Sequence, residues 1–335
     1  MKELIMPAAD DFHIHLRNDD RTPHAIRAVP EGGAARVMAM PNTLPAIATG
    51  MDAERYKAEL EAQGADFEIL TTIKLTPDTT PAMIEEAAVR GVTAVKQYPL
   101  GVTTNAEDGV TDVRALYPVY EAIQDCDLVL SLHGEVPGVF VMDAETAFLS
   151  SLREIHQQFP RLRIVLEHIT TAASVELVRA LPEQVAATIT DHHLAITLSD
   201  VVGSRIQPHH FCMPVAKRPE DRASLVTIVK EGHPSFFSGT DSAPHMVEDK
   251  ESACGCAGIF NSPYHMQFLA SFFAQQDMLE RLRDFRTLFG RTFYRMPPNK
   301  REIALTPEPF QVPDRYGPIV PFRAGTTLEF QLHWV

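Results

Sequence analysis

The chain has 335 residues, of which 45% are hydrophobic, and this length and composition suit one α/β barrel with a substantial core. Lys and Arg together number 30 against 44 for Asp and Glu, so the formal net charge is -14, which argues against binding to a nucleic-acid backbone. Since no apolar run approaches the ~18 residues that span a bilayer and the N-terminus lacks a signal-peptide core, we expect a cytoplasmic protein without a membrane partner.

Short β-rich runs alternate with helical patterns along the chain. The predicted strands are Asp10–His13, Ala35–Met40, Glu68–Leu75, Ala94–Tyr98, Leu128–His133, Ile164–His168, Val185–Ile189 and Phe236–Thr240. The helical patterns are Asp52–Gln63, with Asp52 as its cap, Pro81–Arg90, Asp112–Gln124 and Asp143–Phe159. Such alternation predicts parallel βαβ units, closed as a barrel or open as a doubly wound sheet. Because no glycine-rich dinucleotide fingerprint follows the first strand, the pattern favours a (β/α)₈ TIM-type barrel.

Proline is frequent from Pro297 onward, and the chain ends in an apolar-alternating run, Thr327–Val335. We interpret residues 297–335 as a C-terminal extension packed on a barrel core that covers residues 10–290. The final run is expected to pair with Leu4–Met6. Residues 1–335 are therefore predicted to form a single domain.

Ionisable side chains stand at the carboxyl ends of several predicted strands, where barrel active sites form. His13 and His15 are two residues apart on an extended chain, so their imidazoles face one point, as zinc ligands do. Lys96 lies inside the fourth strand, where a buried ammonium is costly unless it is paired or modified. His133, His168 and Asp241 stand at the ends of the fifth, sixth and eighth strands. Each residue alone is better explained as a surface or structural group, but the whole set predicts a metal site.

Other metal-binding residue types match no ligand position. Cys126, Cys212, Cys254 and Cys256 are interpreted as free thiols, because one CxC pair falls short of a structural zinc site. His192, His193, His209 and His210 are assigned to solvated or structural roles.

Several longer stretches are similar to the amidohydrolase superfamily, specifically to the short-chain bacterial-type dihydroorotases. They are Asp11–Arg17, Met40–Asn42, Lys96–Pro99, Thr103–Asn105, Glu167–Thr171, Gly239–His245, Lys250–Ser252 and Cys254–Gly258. These stretches run from residue 11 to residue 258, so the resemblance covers most of the predicted barrel.

The resemblance implies a site with two Zn²⁺ ions per subunit. His13, His15 and Asp241 would hold the more buried ion, and His133 and His168 the other. Lys96, modified to N6-carboxylysine, would bridge both ions together with a hydroxide. Asp241 would also transfer the proton during the reaction. The positive charge of two divalent cations exceeds the negative charge of the groups that would hold them. The site would therefore stay net positive and attract an anion, although the chain as a whole is acidic.

The resemblance further implies a small anionic substrate. Arg17, Asn42 and His245 would clamp its carboxylate, and the backbones of Met213 and Ala257 would contact its ring. The expected reaction is the reversible interconversion of L-dihydroorotate and N-carbamoyl-L-aspartate in pyrimidine biosynthesis. Relatives of this type suggest a homodimer.

The segment 100–110 resembles the mobile lid of the short-chain enzymes. Thr103 and Thr104 would close over the substrate and donate hydrogen bonds while they exclude water. The alternative is an ordinary mobile loop.

Two other functions remain open at this point. Another cyclic amidohydrolase, of the allantoinase or hydantoinase type, would use the same metal ligands on an uncharged ring. A non-catalytic relative would keep the barrel for assembly or regulation, since a barrel alone implies no particular chemistry.

Overall fold

The fold is known from a computed structural model, which describes residues 3–101, 105–107 and 109–335. Its strands are β1 (Leu4–Pro7), β2 (Ala9–Ile14), β3 (Ala34–Ala39), β4 (Glu68–Leu75), β5 (Ala94–Gln97), β6 (Val129–His133), β7 (Arg163–Glu167), β8 (Val185–Ile189), β9 (Phe236–Ser238), β10 (Glu302–Thr306), β11 (Phe310–Gln311), β12 (Thr327–Leu328) and β13 (Gln331–Trp334).

Helices separate most of these strands. They are α1 (Thr22–Glu31), α2 (Gly50–Ala62), α3 (Pro81–Val89), α4 (Tyr117–Asp125), α5 (Ala144–Gln158), α6 (Ala172–Ala180), α7 (Asp191–Ala195), α8 (Ser199–Val202), α9 (Pro219–Glu231), α10 (Val247–Lys250), α11 (His265–Gln275) and α12 (Phe289–Phe293). Within the described residues, no helix combines the length and hydropathy needed to cross a membrane.

Strands β2 to β9 form one parallel sheet in chain order, eight strands within the described part of the chain. The two ends of this sheet also meet. The His15 amide donates to the Ser242 carbonyl at 3.0 Å, and the Asp241 amide donates to the His13 carbonyl at 2.8 Å. The sheet is therefore closed, and the predicted (β/α)₈ barrel is confirmed.

The observed bounds agree with the predicted strands to within two residues, but one predicted cap was wrong. Helix α2 begins at Gly50, and its N-cap is Thr49. The Asp52 amide donates to the Thr49 hydroxyl and the Thr49 amide donates to the Asp52 carboxylate, each at 3.1 Å. This reciprocal pair is a capping box, so Asp52 acts from inside the first turn.

The barrel interior is layered. One apolar side chain from each barrel strand forms a continuous cluster: Phe12, Met38, Leu70, Ala94, Val129, Val165, Ala186 and Phe237. The Tyr294 ring stacks on Phe12 with a centroid separation of 4.6 Å and covers the amino end of this cluster. Two positions further along five of these strands, β4 to β8, buried side chains of the same face are polar: Thr72, Lys96, Ser131, Glu167 and Thr188. The apolar cluster is thus a floor beneath a polar layer at the carboxyl ends of the strands.

The C-terminal extension joins the N-terminus through a small antiparallel sheet. The predicted direct pairing of Leu4–Met6 with the final run was wrong, because β10 lies between β1 and β13 and pairs with both. The Trp334 indole donates to the Pro30 carbonyl of α1 at 2.9 Å, so the extension packs on the barrel as expected. The single-domain assignment stays a prediction.

Candidate active site

Two histidines at the end of β2 turn their Nε2 atoms towards one carboxylate. His13 Nδ1 lies 2.9 Å from Glu167 Oε2, and His15 Nδ1 lies 2.7 Å from Asn42 Oδ1. The opposite ring nitrogens, Nε2 of each, lie 3.4 Å and 3.0 Å from Asp241 Oδ1. Glu167 and Asn42 therefore fix both rings so that their Nε2 atoms converge on Asp241.

This convergence fits a bound cation. A neutral imidazole that donates through Nδ1 to a carboxylate or amide oxygen presents a lone pair at Nε2. In His13 and His15 that lone pair would face an oxygen of Asp241, which accepts hydrogen bonds but does not donate them when ionised. Three electron-pair donors in this buried arrangement repel one another unless a cation lies among them. Two histidines and one carboxylate are a donor set that suits zinc.

Burial and neighbouring groups shift the pKa values of two of these residues. Burial lowers the pKa of His15 to about 4, with Arg17 acting in the same direction, so its imidazole is neutral near pH 7. For Asp241, burial by itself would raise the pKa, but the neighbouring imidazoles of His13, His15 and His168 hold it well below the ordinary value. The site therefore presents an ionised carboxylate beside a neutral imidazole at neutral pH.

Lys96 lies in the polar layer of β5 and is fully buried. Its Nζ has no hydrogen-bond partner among the described residues, and the Tyr98 ring centroid is 5.3 Å away. Burial lowers the pKa of Lys96 to about 8, against the opposing effect of the Glu167 and Asp241 carboxylates. An unpartnered ammonium at this depth is costly, so the group is suited to modification into something that binds a cation.

His133 and His168 complete the cluster from β6 and from the end of β7. Their ring centroids are 4.6 Å apart, and the His168 ring lies 5.1 Å from that of His13. His133 Nε2 contacts Glu135 Oε2 at 2.7 Å, whereas His168 Nδ1 has no hydrogen-bond partner in the described part of the chain. Burial, assisted by His133 and Lys96, lowers the pKa of His168 well below its ordinary value. The fold thus brings all six predicted ligand residues to one end of the barrel.

Three of the predicted site residues have a left-handed backbone conformation. Arg17, His168 and Asp241 have φ angles of 62°, 42° and 47°, a left-handed region that non-glycine residues rarely adopt. Such conformations cost about 1–3 kcal/mol each and persist where the surrounding structure holds them. The same conformation occurs at Asp127 and Arg295 at the opposite end of the barrel, so it shows that these positions are constrained but does not by itself identify the site.

A small cavity adjoins the cluster. Its lining comprises His15, Arg17, Asn42, Met213, Asp241, Ala243, Ala257 and Gly258. Four of the predicted substrate contacts, Arg17, Asn42, Met213 and Ala257, therefore share one cavity with two of the predicted metal ligands. The fifth, His245, lies behind Arg17 with its Nε2 at 3.0 Å from Arg17 Nη2.

The hydrogen bonds of His245 leave Arg17 available to an anion. His245 Nε2 also lies 3.1 Å from the Ala257 carbonyl, and its Nδ1 lies 3.3 Å from Arg21 Nη1. The tautomer with a proton on Nε2 satisfies both of these contacts, because it donates to Ala257 and accepts from Arg21. Burial, with Arg17 and Arg21 beside it, lowers the pKa of His245 to about 2, so its ring is neutral.

Arg17 itself remains charged at neutral pH. Burial and the nearby Arg21 lower its pKa, but only to about 10. Its Nε has no hydrogen-bond partner within the described residues. A buried guanidinium with an unused donor, facing a cavity, is suited to bind a carboxylate.

The predicted lid residues Thr103 and Thr104 lie outside the described residues. Where the segment is described again, the Asn105 side chain donates to the Asn42 carbonyl at 2.8 Å. Lys74 donates to the Asn105 carbonyl at 2.6 Å. This end of the segment is therefore attached beside the cavity, and the lid role stays a prediction.

Sequence reasoning assigned no role to Glu167, Glu135 or Arg21. Thr188 donates to Glu167 at 2.6 Å and Ser131 donates to its other oxygen, so the carboxylate that orients His13 is itself held on both sides. Burial alone would raise the pKa of Glu167, but His13 and Lys96 bring it to about 2. The period-two alternation of β7 could have identified Glu167, because it shares an inward face with Val165. Arg21 offered no comparable signal.

A second group of potential ligands, His192, His193 and Cys212, is also buried. His193 is already satisfied, because its Nδ1 contacts the Thr190 hydroxyl at 2.9 Å and its Nε2 the Pro214 carbonyl at 3.0 Å. These contacts agree with a structural role for His193, whereas His192 Nε2 is buried without a hydrogen-bond partner among the described residues, so its role stays a prediction. All four cysteines have free thiols, as expected.

Comparison with known proteins agrees with this architecture. An amidohydrolase family model matches residues 11–194. A dihydroorotase of Nitrosococcus oceani is 42% identical over 340 residues, which cover 98% of each chain.

Solved structures of other proteins also match this chain. A crystal structure of dihydroorotase from Saccharomyces cerevisiae, in complex with 5-fluoroorotic acid, superposes with a TM-score of 0.94 at 34% identity over 100% of this chain and 99% of that one. An L-hydantoinase from Arthrobacter aurescens has a TM-score of 0.84 at 16% identity, over 98% of this chain and 82% of the other, and shares the fold alone. On full-length identity above 40%, the chain belongs to the dihydroorotase family of amidohydrolases.

Proposed function

We propose that the protein catalyses the reversible interconversion of L-dihydroorotate and N-carbamoyl-L-aspartate, a step of pyrimidine biosynthesis. The observation that carries this proposal is the shared lining of one cavity. His15 and Asp241, from the candidate metal cluster, and Arg17 and Asn42, from the candidate carboxylate clamp, meet there. A substrate that offers an amide carbonyl to the first pair and a carboxylate to the second fits this arrangement.

The metal cluster would hold two Zn²⁺ ions. His13, His15 and Asp241 would bind the first ion, and His133 and His168 the second. Carboxylated Lys96 would help to hold both ions, and the ions would supply an ionised water at neutral pH and polarise a carbonyl. The converging lone pairs of His13 and His15 support this assignment.

Modification of Lys96 to N6-carboxylysine follows from its surroundings. Its Nζ is buried and lacks a hydrogen-bond partner among the described residues. The lowered pKa, about 8, makes the neutral amine accessible near physiological pH, and the neutral amine is the form that adds to carbon dioxide. The carbamate exchanges an unpartnered cation for an anion with two oxygen donors, which removes the cost of the buried ammonium.

Arg17, Asn42 and His245 would orient the substrate. Arg17 stays charged, and its planar guanidinium matches a carboxylate with two parallel hydrogen bonds. His245 stays neutral and is held by Ala257 and Arg21, so its uncharged ring lies beside Arg17 and does not repel the anion. The backbones of Met213 and Ala257, which line the same cavity, would contact the ring.

Asp241 would move the proton. Its carboxylate is ionised, lies against His13 and His15 and lines the cavity, so it can accept a proton from the attacking water. In hydrolysis the ring C–N bond breaks while a new C–O bond forms, and Asp241 delivers the proton to the departing nitrogen. In cyclisation Asp241 would remove a proton from the carbamoyl nitrogen.

The test is turnover of L-dihydroorotate by zinc-loaded protein beside a chelator-stripped sample. We expect turnover that is lost on stripping and restored by zinc, and we expect inhibition by orotate but not by hydantoin. No turnover in a protein that carries two zinc ions would reject this substrate. Inhibition by hydantoin alone would then favour the hydantoinase type, whereas a protein that binds no metal would be the non-catalytic relative.

A further inference from the structure

Lys250, the last residue of α10, is a buried cation with all of its hydrogen-bond donors in use. It is 3% exposed. Its Nζ donates to the Phe211 carbonyl at 2.9 Å, to the Cys256 carbonyl at 2.7 Å and to the Gly258 carbonyl at 2.8 Å. A lysine ammonium has three N–H groups, so three backbone carbonyls saturate it.

These acceptors belong to two segments that together form one wall of the cavity. Cys256 and Gly258 flank Ala257, and Phe211 stands two residues before Met213. Met213, Ala257 and Gly258 line the cavity, whereas Lys250 does not. The two segments also meet directly, since the Gly258 amide donates to the Phe211 carbonyl at 2.9 Å. The ammonium therefore joins both segments from behind the wall.

The segment that carries Ala257 needs such an attachment. Gly255 and Gly258 have φ angles of 69° and 152°, which glycine adopts readily, but Cys256 between them has a φ of 20°, a conformation that costs a non-glycine residue free energy unless contacts hold it. A Cβ at Gly258 would lie 2.8 Å from the Ala243 Cβ and 2.9 Å from His245 Cδ2, so the backbone presses closely on the candidate clamp. Burial lowers the pKa of Lys250 only to about 8, so its side chain stays mainly protonated near pH 7.

We propose that Lys250 is a positioning residue for substrate recognition: it holds the backbones of Met213 and Ala257 against the substrate ring. Through the Ala257 carbonyl, which accepts from His245 Nε2, it also fixes the carboxylate clamp. The inference rests on the proposed function, because it assigns the wall of that same site. Lys250 contacts neither the metal cluster nor the cavity, so its effect is on binding rather than on the chemical step.

The experiment replaces Lys250 by Met, which keeps the chain length and removes the donors. Lys217→Met is the matched control, because Lys217 is also 3% exposed and donates to a backbone carbonyl, but that carbonyl, of Val215 at 2.9 Å, belongs to its own segment and the bond joins no second part of the wall. Both variants are zinc-loaded. The measurements are KM and kcat for L-dihydroorotate, the Kd of orotate by calorimetry, the zinc content and the melting temperature.

For Lys250→Met we expect KM and the orotate Kd to rise together by about 10-fold or more, with a smaller change in kcat and unchanged zinc content. Contacts that the wall makes before and during the reaction contribute to binding in both states, so their loss raises KM. Lys217→Met should leave KM and the orotate Kd within about 2-fold of the wild type. An unchanged KM and orotate Kd in folded Lys250→Met protein would overturn the inference.

The remaining outcomes are also decisive. If Lys250→Met does not fold, Lys250→Arg keeps the cation but replaces its three radial donors by a planar fork. A raised orotate Kd with full zinc content in that variant supports the inference, and an unchanged Kd overturns it. If neither variant folds while Lys217→Met does, Lys250 serves general stability and the inference fails. Wild-type protein that neither turns over dihydroorotate nor binds orotate rejects the proposed function itself, and the inference with it.

Discussion

Two concave regions lie at opposite ends of the barrel, and they differ in whether their charged side chains are paired. The wider groove lies at the amino ends of the strands, between residues that precede or begin β6 to β9. Its three arginines are each paired with an aspartate: Arg161 with Asp125 at 2.9 Å, Arg163 with Asp127 at 3.2 Å, and Arg295 with Asp127 at 2.6 Å.

The smaller cavity lies at the carboxyl ends, beside groups that have no such partners. Among the described residues, Arg17 Nε, Lys96 Nζ and His168 Nδ1 are buried without a hydrogen bond. An unpaired buried polar group costs about 1–3 kcal/mol, so a protein retains several of them together where a ligand completes their bonding. Three such groups on predicted site residues beside one cavity therefore support the candidate site, although Tyr294 Oη at the amino end and the Asp191 carboxylate also lack a partner in the described part of the chain.

The strongest test of this comparison replaces one aspartate by asparagine at each end of the barrel. Asp241→Asn removes an ionised proton acceptor from the cavity, and we expect turnover of L-dihydroorotate to fall by about 10²–10⁴-fold or more. Orotate binding should fall far less, because Arg17 and the ring contacts are retained. Asp127→Asn in the wider groove should leave turnover unchanged. Steady-state kinetics and calorimetry on both variants decide this, and near-normal turnover by Asp241→Asn would remove Asp241 from proton transfer.

The second test concerns buried charge at the amino end of the barrel interior. Arg36 on β3 lies between Asp10 of β2 and Glu68 of β4, and it donates to them at 2.9 Å and 2.8 Å. Removal of one partner from a buried pair leaves an uncompensated charge, so Arg36→Met should lower the free energy of unfolding by about 3–5 kcal/mol.

Urea denaturation at neutral pH measures this loss. Arg161→Met is the control, because Arg161 is 72% exposed in its pair with Asp125 and should contribute little. The specific activity of folded Arg36→Met protein should remain that of the wild type. A loss of activity without a loss of stability would contradict the division between the two ends.

The third test addresses the cation that the cavity leaves unpaired. Arg17→Ala should raise KM and the orotate Kd by about 10- to 100-fold, because charge-assisted hydrogen bonds to the carboxylate are lost before and during the reaction. Arg295→Ala removes a cation that is already paired in the wider groove and should change neither constant. If Arg17→Ala bound orotate as tightly as the wild type, the carboxylate clamp would be wrongly assigned.

How much of this site the sequence predicts depends on how far apart in the chain the contacting residues lie. His13 and His15 could be predicted because their two-residue spacing on a strand is a local pattern. Lys96 could be predicted because a lysine inside a barrel strand places a charge in an apolar environment. Family resemblance then supplied roles for Arg17 and Met213. The strand positions followed from alternation with helices, and they agree closely with the structure.

The contacts that the sequence did not predict join residues far apart in the chain. His13 and Glu167 are 154 positions apart, and Lys250 and Phe211 are 39 apart, so no local period links them. The sequence analysis did not predict strand β10. This strand lies in a proline-rich stretch, and its alternation of apolar and polar residues is too short to indicate a strand beside so many prolines. Local periodicity thus predicts which end of the barrel carries the chemistry, whereas the supporting contacts require the assembled fold.

The smallest expected effect concerns Asp191, an unpaired buried carboxyl that does not line the cavity. Both of its oxygens lack a hydrogen-bond partner among the described residues, and His265 Nδ1 is 4.0 Å away. Burial raises the pKa of Asp191 from 3.8 to about 8, although Arg286 opposes the shift. Between these two pH values the folded protein holds a proton that the unfolded chain has lost, so this group lowers the free energy of unfolding as pH rises.

Asp191→Asn cannot titrate, so it should gain stability relative to the wild type between about pH 5 and about pH 8, by at least about 1.4 kcal/mol, the equivalent of one pKa unit. Urea unfolding at both pH values measures the gain. Asp125→Asn, which alters an exposed carboxylate in the wider groove, should keep the wild-type pH dependence. Turnover by Asp191→Asn should match the wild type, because its carboxyl faces no ligand. If turnover fell instead, Asp191 would belong to the unpaired groups on which activity depends, and the candidate site would include residues closer to α11.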